Sequence, residues 1–168
     1  RDARLLEAMV DEAPGDGRWW YYLGDSLDGL GNTSGAVSAF SKCSFISKWD
    51  EEGAWACYRE ARVYERLNER KAYKAMLGAC SRGIGIHPGI AELYWLMGLA
   101  WLRLGEYEKA IQASHAAIAL GLYLGKGKGV NRIGFRFMPA LYEGPFVVMA
   151  DAYRGLGNQA MASDAETL

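Results

Sequence analysis

The chain has 168 residues, 51% of them apolar, with 19 basic and 20 acidic residues and a net charge of −1. That supports one domain or one short repeat array, and it argues against a nucleic-acid binder, whose phosphate contacts need clustered Lys and Arg. No apolar run approaches the ~20 residues that span a bilayer, and the charged opening, Arg1 to Glu7, is not a secretory leader.

Taken in chain order, residues 1–13 read as the second helix of a pair. The sequence opens on Arg1, inside that helix, and so reads as a piece of a longer chain. Pro14 marks a turn. From residue 17 onward the same columns recur. The small residues that let a first helix (A) approach a second (B) are Gly24, Ala61 and Gly98, spaced by 37 (61 − 24 and 98 − 61); Ala150 follows after 52 (150 − 98). The tetratricopeptide period is about 34 residues, so the last interval carries an insertion. Trp20, Cys57, Tyr94 and Phe146 stand four before the small residue, and Leu27, Tyr64, Trp101 and Tyr153 three after it. Next come Leu30-Gly31, Leu67-Asn68, Leu104-Gly105 and Leu156-Gly157. Gly or Asn there predicts a left-handed residue ending each A helix.

Helix B returns through Ala36, Ala110 and Ala162, each 12 after the small residue, with Ala75 two further on in the second repeat. Pro14 and Pro88 each precede an aromatic of the next A helix (Trp20 and Tyr94) by six. The expected fold is all-α: a right-handed superhelical stack of antiparallel helix pairs, a tetratricopeptide-like α-solenoid. One array covers 1–168, with a partial repeat at 1–13, repeats at 17–48, 51–86, 91–120 and 143–168, and an insertion at 121–142.

A helices of such a stack line its concave face. The column three before the small residue holds Tyr21, Tyr58, Trp95 and Val147, and the column one after it Asp25, Arg62, Leu99 and Asp151. Tyr21, Asp25, Tyr58, Arg62 and Trp95 are therefore the candidate groove. Two readings stand for its rings: a surface that stacks on a peptide side chain or sugar, or packing between neighbouring A helices. The insertion holds Lys126, Lys128, Arg132 and Arg136 and no acid, with Gly121, Gly125, Gly127, Gly129 and Gly134. It is a candidate anion loop. The competing reading is a solvated loop whose Tyr123, Phe135 and Phe137 tuck onto the solenoid. Each Gly-Lys is followed by Gly, so the P-loop pattern is absent.

Trp49-Asp50-Glu51-Glu52 reads as a helix start with Asp50 as N-cap. His87 precedes Pro88 in a turn and His115 lies on a B helix, neither beside a nucleophile in sequence. Cys43, Cys57 and Cys80 form no CxxC; they read as buried apolar residues in a reducing, cytoplasmic setting, and no metal or cofactor is expected.

Four strings are more specific than the repeat: Asp16-Gly17-Arg18 leading to Tyr22-Leu23-Gly24; Trp49-Asp50-Glu51-Glu52; His87-Pro88 with Ala91-Glu92-Leu93-Tyr94; and Asn131 to Arg136 with Leu141-Tyr142-Glu143-Gly144-Pro145. Together they resemble the C-terminal repeat region of bacterial and phage family-2 glycosyltransferases, over residues 14–165. The resemblance implies an accessory module that follows a nucleotide-sugar-binding catalytic domain and binds a protein or peptide or positions the acceptor. The Asp-x-Asp of such catalytic domains is absent from this sequence, so no enzyme activity is expected of this chain. The alternative is a free-standing scaffold that binds a partner protein and self-associates through its terminal helices. Neither reading involves nucleic acid or a membrane.

Overall fold

The computed structural model describes residues 3–126 and 137–167. Among them stand α1 (Ala3–Glu12), α2 (Gly17–Gly29), α3 (Thr33–Ile46), α4 (Asp50–Leu67), α5 (Arg70–Ile86), α6 (Ala91–Leu104), α7 (Tyr107–Lys126), a 3-10 turn at Met138–Ala140, α8 (Glu143–Gly155) and α9 (Gln159–Thr167). No strand occurs among the described residues. Each helix packs on the next in sequence, and α2, α4, α6 and α8 also touch one another in series. The odd-numbered helices have no comparable mutual packing among the described residues. The even-numbered A helices therefore line the inner face of the stack.

The turn chemistry follows the repeat. Asn68 has φ 53°, and Gly31, Gly105 and Gly157 have φ 75°, 82° and 75°, the left-handed residues expected at the ends of four A helices. Asn32 and Asn158 then cap the following B helices: their side-chain oxygens accept from the backbone N–H of Gly35 (3.0 Å) and Met161 (3.2 Å), satisfying helix donors that would otherwise lack partners. At the preceding turn, Trp20 Nε1–H donates to the Pro14 carbonyl at 3.0 Å, which gives the Pro-to-aromatic spacing a physical cause there. Asp50 is not a cap. Trp49 holds the N-cap position and Asp50 is the first helical residue, where its charge faces the positive end of the helix dipole.

The small-residue column does what its size allows. A Cβ on Gly24 would lie 2.7 Å from the Phe40 ring, and one on Gly98 would lie 3.1 Å from Ser114 Oγ and 3.2 Å from the Ala110 carbonyl. The second repeat departs from expectation at Ala75. That residue is half-exposed, while Tyr73, 12 after Ala61 like its counterparts elsewhere, is buried. The Tyr73 hydroxyl donates to Asn68 Oδ1, so a large side chain keeps the register and no slip occurs.

The main core runs through α2 to α6 and includes Phe40, Cys43, Cys57, Met76, Cys80, Leu93 and Leu96, all fully buried. All three cysteines are free thiols inside it. One polar cluster shares this interior. Glu60, 5% exposed, pairs with Arg82, whose Nε–H also donates to Ser44 Oγ at 3.0 Å. A buried charge is tolerated only with such partners. Burial raises the Glu60 carboxyl above its ordinary range and Arg82 opposes the rise. No helix among the described residues is long and apolar enough to cross a membrane.

Candidate functional site

A run of aromatic rings lies along the A helices and reaches into the core beneath them. Phe40 meets Tyr21 edge-on, with centroids 5.8 Å apart and planes at 66°. Trp55 stacks on Tyr58 at 4.2 Å and 24°. Tyr58 lies 6.4 Å from Phe137, and Phe137 stacks on Trp95 at 5.5 Å and 21°. Tyr21 and Tyr58 are buried and Trp95 is half-buried. The A helices thus bring Tyr21, Tyr58 and Trp95 onto one face, in the order of their column.

The charged members separate. Asp25 pairs with Arg59 at 2.7 Å, and Arg59 also reaches Asp28 at 3.6 Å. Arg62 pairs with Glu65 on its own helix at 2.8 Å. Asp25 and Arg62, which the sequence suggested as flanking one ligand position, each have their own ion-pair partner, Arg59 for the first and Glu65 for the second. Both arginines lie over phenylalanines instead. Arg59 sits 5.4 Å from the Phe40 centroid, and Arg62 sits 5.2 Å from that of Phe137 and 5.7 Å from that of Trp95. Such contacts contribute roughly 0.5–2 kcal/mol each, more where water is excluded.

The second half of the face is closed by a residue from outside the helix pairs. Phe137 precedes the 3-10 turn that leads into α8. Its ring lies among Tyr58, Trp95 and Arg62, and its backbone N–H donates to Glu92 Oε1 at 2.9 Å. Glu92, in the first turn of α6, is 0% exposed. A hydrogen bond to a carboxylate is worth about 1.5–3 kcal/mol, so this one fixes the backbone as well as the ring. Gly144 completes the slot. A Cβ there would come within 2.6 Å of Trp95 Nε1 and 2.8 Å of the Pro139 carbonyl, so only glycine lets α8 approach the indole edge.

The tyrosine hydroxyls and cysteine thiols on this face and beneath it are shifted toward their protonated forms. Burial, then the neighbouring Asp25, pushes the Tyr21 hydroxyl up to about 12. Burial does the same to Tyr58, to about 12, against the pull of Arg62. The Cys43 thiol is pushed up to about 12, and those of Cys57 and Cys80 are also raised, chiefly by burial. A thiol reacts as its thiolate, so none of the three is activated.

Solved structures share this architecture. A crystal structure of MamA superposes with a TM-score of 0.71 at 20% identity, covering 98% of this chain and 82% of that one. "MamA 41-end" from Desulfovibrio magneticus RS-1 gives 0.71 at 21%, covering 98% and 80%. TTC0263, a thermophilic TPR protein of Thermus thermophilus, gives 0.60 at 18%, covering 97% and 77%. The fold is a tetratricopeptide-like α-solenoid. At these identities the likeness carries the fold alone. No protein-family model and no curated protein sequence matches the chain.

Within that fold, the expected anion loop falls largely outside the described residues: Lys128, Arg132 and Arg136 lie there, and Lys126 is the last residue of α7. The start of the expected insertion is helical, since α7 runs on past 121 to Lys126. Of the fourth-repeat positions, Val147 is 58% exposed and Asp151 pairs with Arg154 at 2.6 Å. Val147 and Phe146 line an apolar cavity of about 510 Å³ with Ile118, Leu141 and Ala165. The expectation that the insertion's aromatics tuck onto the solenoid holds for Phe137, whereas sequence reasoning missed the roles of Arg59 and Glu92. An acid in the first turn of a helix reads as a dipole residue, so Glu92 carried no sequence signal of a tertiary partner.

Proposed function

We propose that this chain is a non-catalytic interaction module that receives a protein or peptide segment on the concave face of α2, α4 and α6. The observation that carries the reading is the slot formed by Tyr58, Arg62 and Trp95. It holds an aromatic side chain, with its backbone amide bonded to Glu92, contributed by a segment outside the helix pairs. Rings supply contact area at low entropic cost, and the carboxylate and guanidinium orient the backbone and the ring. The absence of chemistry in this reading is supported by the state of the nearby groups. Asp25 and Glu65 engage arginines, and the tyrosines and thiols stay protonated at neutral pH.

A peptide-display selection against the whole chain tests it. Selected peptides should lose binding to a Tyr58→Ala/Trp95→Ala variant whose far-ultraviolet circular dichroism is unchanged. Peptides that bind this variant as well as the parent would remove the groove from the proposal.

The finer proposal, supported by the sequence strings such as Trp49 to Glu52 and Leu141 to Pro145, is that the module is the accessory repeat region of a family-2-like glycosyltransferase and positions its acceptor. An Asp-x-Asp-bearing α/β domain encoded upstream would support it, and a start codon just before Arg1 would remove it. A second reading, self-association through the terminal helices, is favoured by Leu5 on α1 (63% exposed) and Met161 on α9 (40% exposed). Light scattering over a concentration series separates them: a mass that stays that of one chain ends the second reading.

A further inference from the structure

The column that places Tyr58 and Arg62 on α4 recurs one repeat earlier as Tyr21 on α2, with Arg59 of α4 beside it. Both tyrosine–arginine sets are finished by a phenylalanine under the guanidinium, at 5.4 Å for Arg59 and Phe40 and 5.2 Å for Arg62 and Phe137. The origins differ. Phe40 is part of α3, fully buried and wedged on Gly24. Phe137 stands before a 3-10 turn and belongs to no helix pair. It is only half-buried, and it meets the groove as a peptide ligand would: one ring in a slot and one backbone N–H on a carboxylate.

We infer that the segment beginning at Phe137 occupies the groove as an internal stand-in for the partner, and that the partner presents an aromatic residue whose backbone N–H donates to Glu92. This rests on the groove reading above and narrows it to a ligand class. The slot between the Trp95 face, the Tyr58 ring and the Arg62 guanidinium selects a flat ring over a branched aliphatic side chain, because only a ring offers a face to a cation and to an indole together. Glu92 Oε1 accepts the backbone N–H at this position at 2.9 Å, so the residue bound there must keep its N–H; proline or an N-methylated residue is refused. A partner carrying this element competes with Phe137, and its apparent affinity is reduced by the fraction of chains whose groove is self-filled.

The test opens the groove and refills it with a small probe. The probe is N-acetyl-phenylalanine amide, which keeps one ring and one acylated N–H. Binding is read from the indole N–H signals in nitrogen-15 correlation spectra of the whole chain. Phe137→Ala should bind the probe at millimolar concentration, and the parent at least tenfold more weakly. The N-methylated probe and N-acetyl-leucine amide should each bind Phe137→Ala at least fivefold more weakly than the first probe. Arg62→Ala added to Phe137→Ala should weaken binding again. Equal binding to parent and variant, equal binding of the N-methylated probe, or no binding to a variant of native circular dichroism would each overturn the inference. If Phe137→Ala loses helicity, Phe137→Val is the opening variant. If both unfold, the ring belongs to the core and the inference also fails. Display-selected peptides that need Tyr58 and Trp95 yet bind the parent and Phe137→Ala equally would preserve the groove and sink only the stand-in.

Discussion

Tyr21 and Tyr58 stand at the same column of successive A helices, and each is covered by a phenylalanine: Phe40 for the first, Phe137 for the second. Phe40 reaches its tyrosine from the paired B helix, so it cannot leave without breaking that pair. Phe137 arrives from a connecting segment, with its backbone N–H on Glu92 and its ring on Trp95. The same contact is thus made from a paired helix in one half of the groove and from a connecting segment in the other. The difference lies in the element that carries the ring, a helix or a connecting segment, rather than in side-chain chemistry.

Truncating the two phenylalanines breaks this comparison most sharply. Phe40→Ala removes a fully buried ring and should cost about 3–5 kcal/mol, lowering the thermal midpoint by on the order of 10 °C. Phe137→Ala should cost only about 1–2 kcal/mol, the worth of its ring contacts. Thermal melts of the two variants decide it, and equal losses would mean that Phe137 is as much core as Phe40.

Alkaline titration sharpens the same contrast. The hydroxyls of Tyr21 and Tyr58 are both pushed from 10.0 to about 12, first by burial. A raised folded-state value means that their stabilising contribution is complete below about pH 10 and is lost as pH rises through about 12. Phenolate absorbance should therefore show these two ionising late among the ten tyrosines, alongside Tyr64 and Tyr94, which burial also raises. Phe137→Ala should bring Tyr58 down and leave Tyr21 where it is; a shared shift would mean that Phe137 governs the whole face.

The smallest expected effect separates the arginines. Arg59 links α4 to Asp25 and Asp28 of α2, and Arg59→Ala should cost about 1–3 kcal/mol. Among the described residues Arg62 pairs locally with Glu65 and covers the Phe137 and Trp95 rings, so Arg62→Ala should cost about 0.5–1 kcal/mol. Urea unfolding midpoints measure both. A larger loss at Arg62 would show that its ring contacts, not interhelical ion pairs, hold the stack.

Much of the fold was legible because it rests on local rules. A left-handed residue after each A helix needs Gly or Asn, and Gly31, Asn68, Gly105 and Gly157 announced four helix ends. Close helix approach needs small side chains, and Gly24, Ala61, Gly98 and Ala150 announced the pairing faces. Tyr21, Tyr58 and Trp95 were readable as one face for the same reason, since helical period and repeat period together place them in line.

What the sequence could not supply was which groups meet across that face. Arg59 and Arg62 are both arginines of α4, and only the crossing of α2 and α4 decides that Asp25 takes Arg59. Glu60 and Arg82 are 22 residues apart, and their pairing depends on α5 packing back on α4. Phe137 lies 45 residues from Glu92, and no periodicity relates a residue in an insertion to a repeat column. Helix ends and buried faces are set by each residue's own conformational and size limits, which the sequence states directly. The partner that fills the groove is set by where a non-repeating segment returns to the solenoid, which only tertiary packing decides.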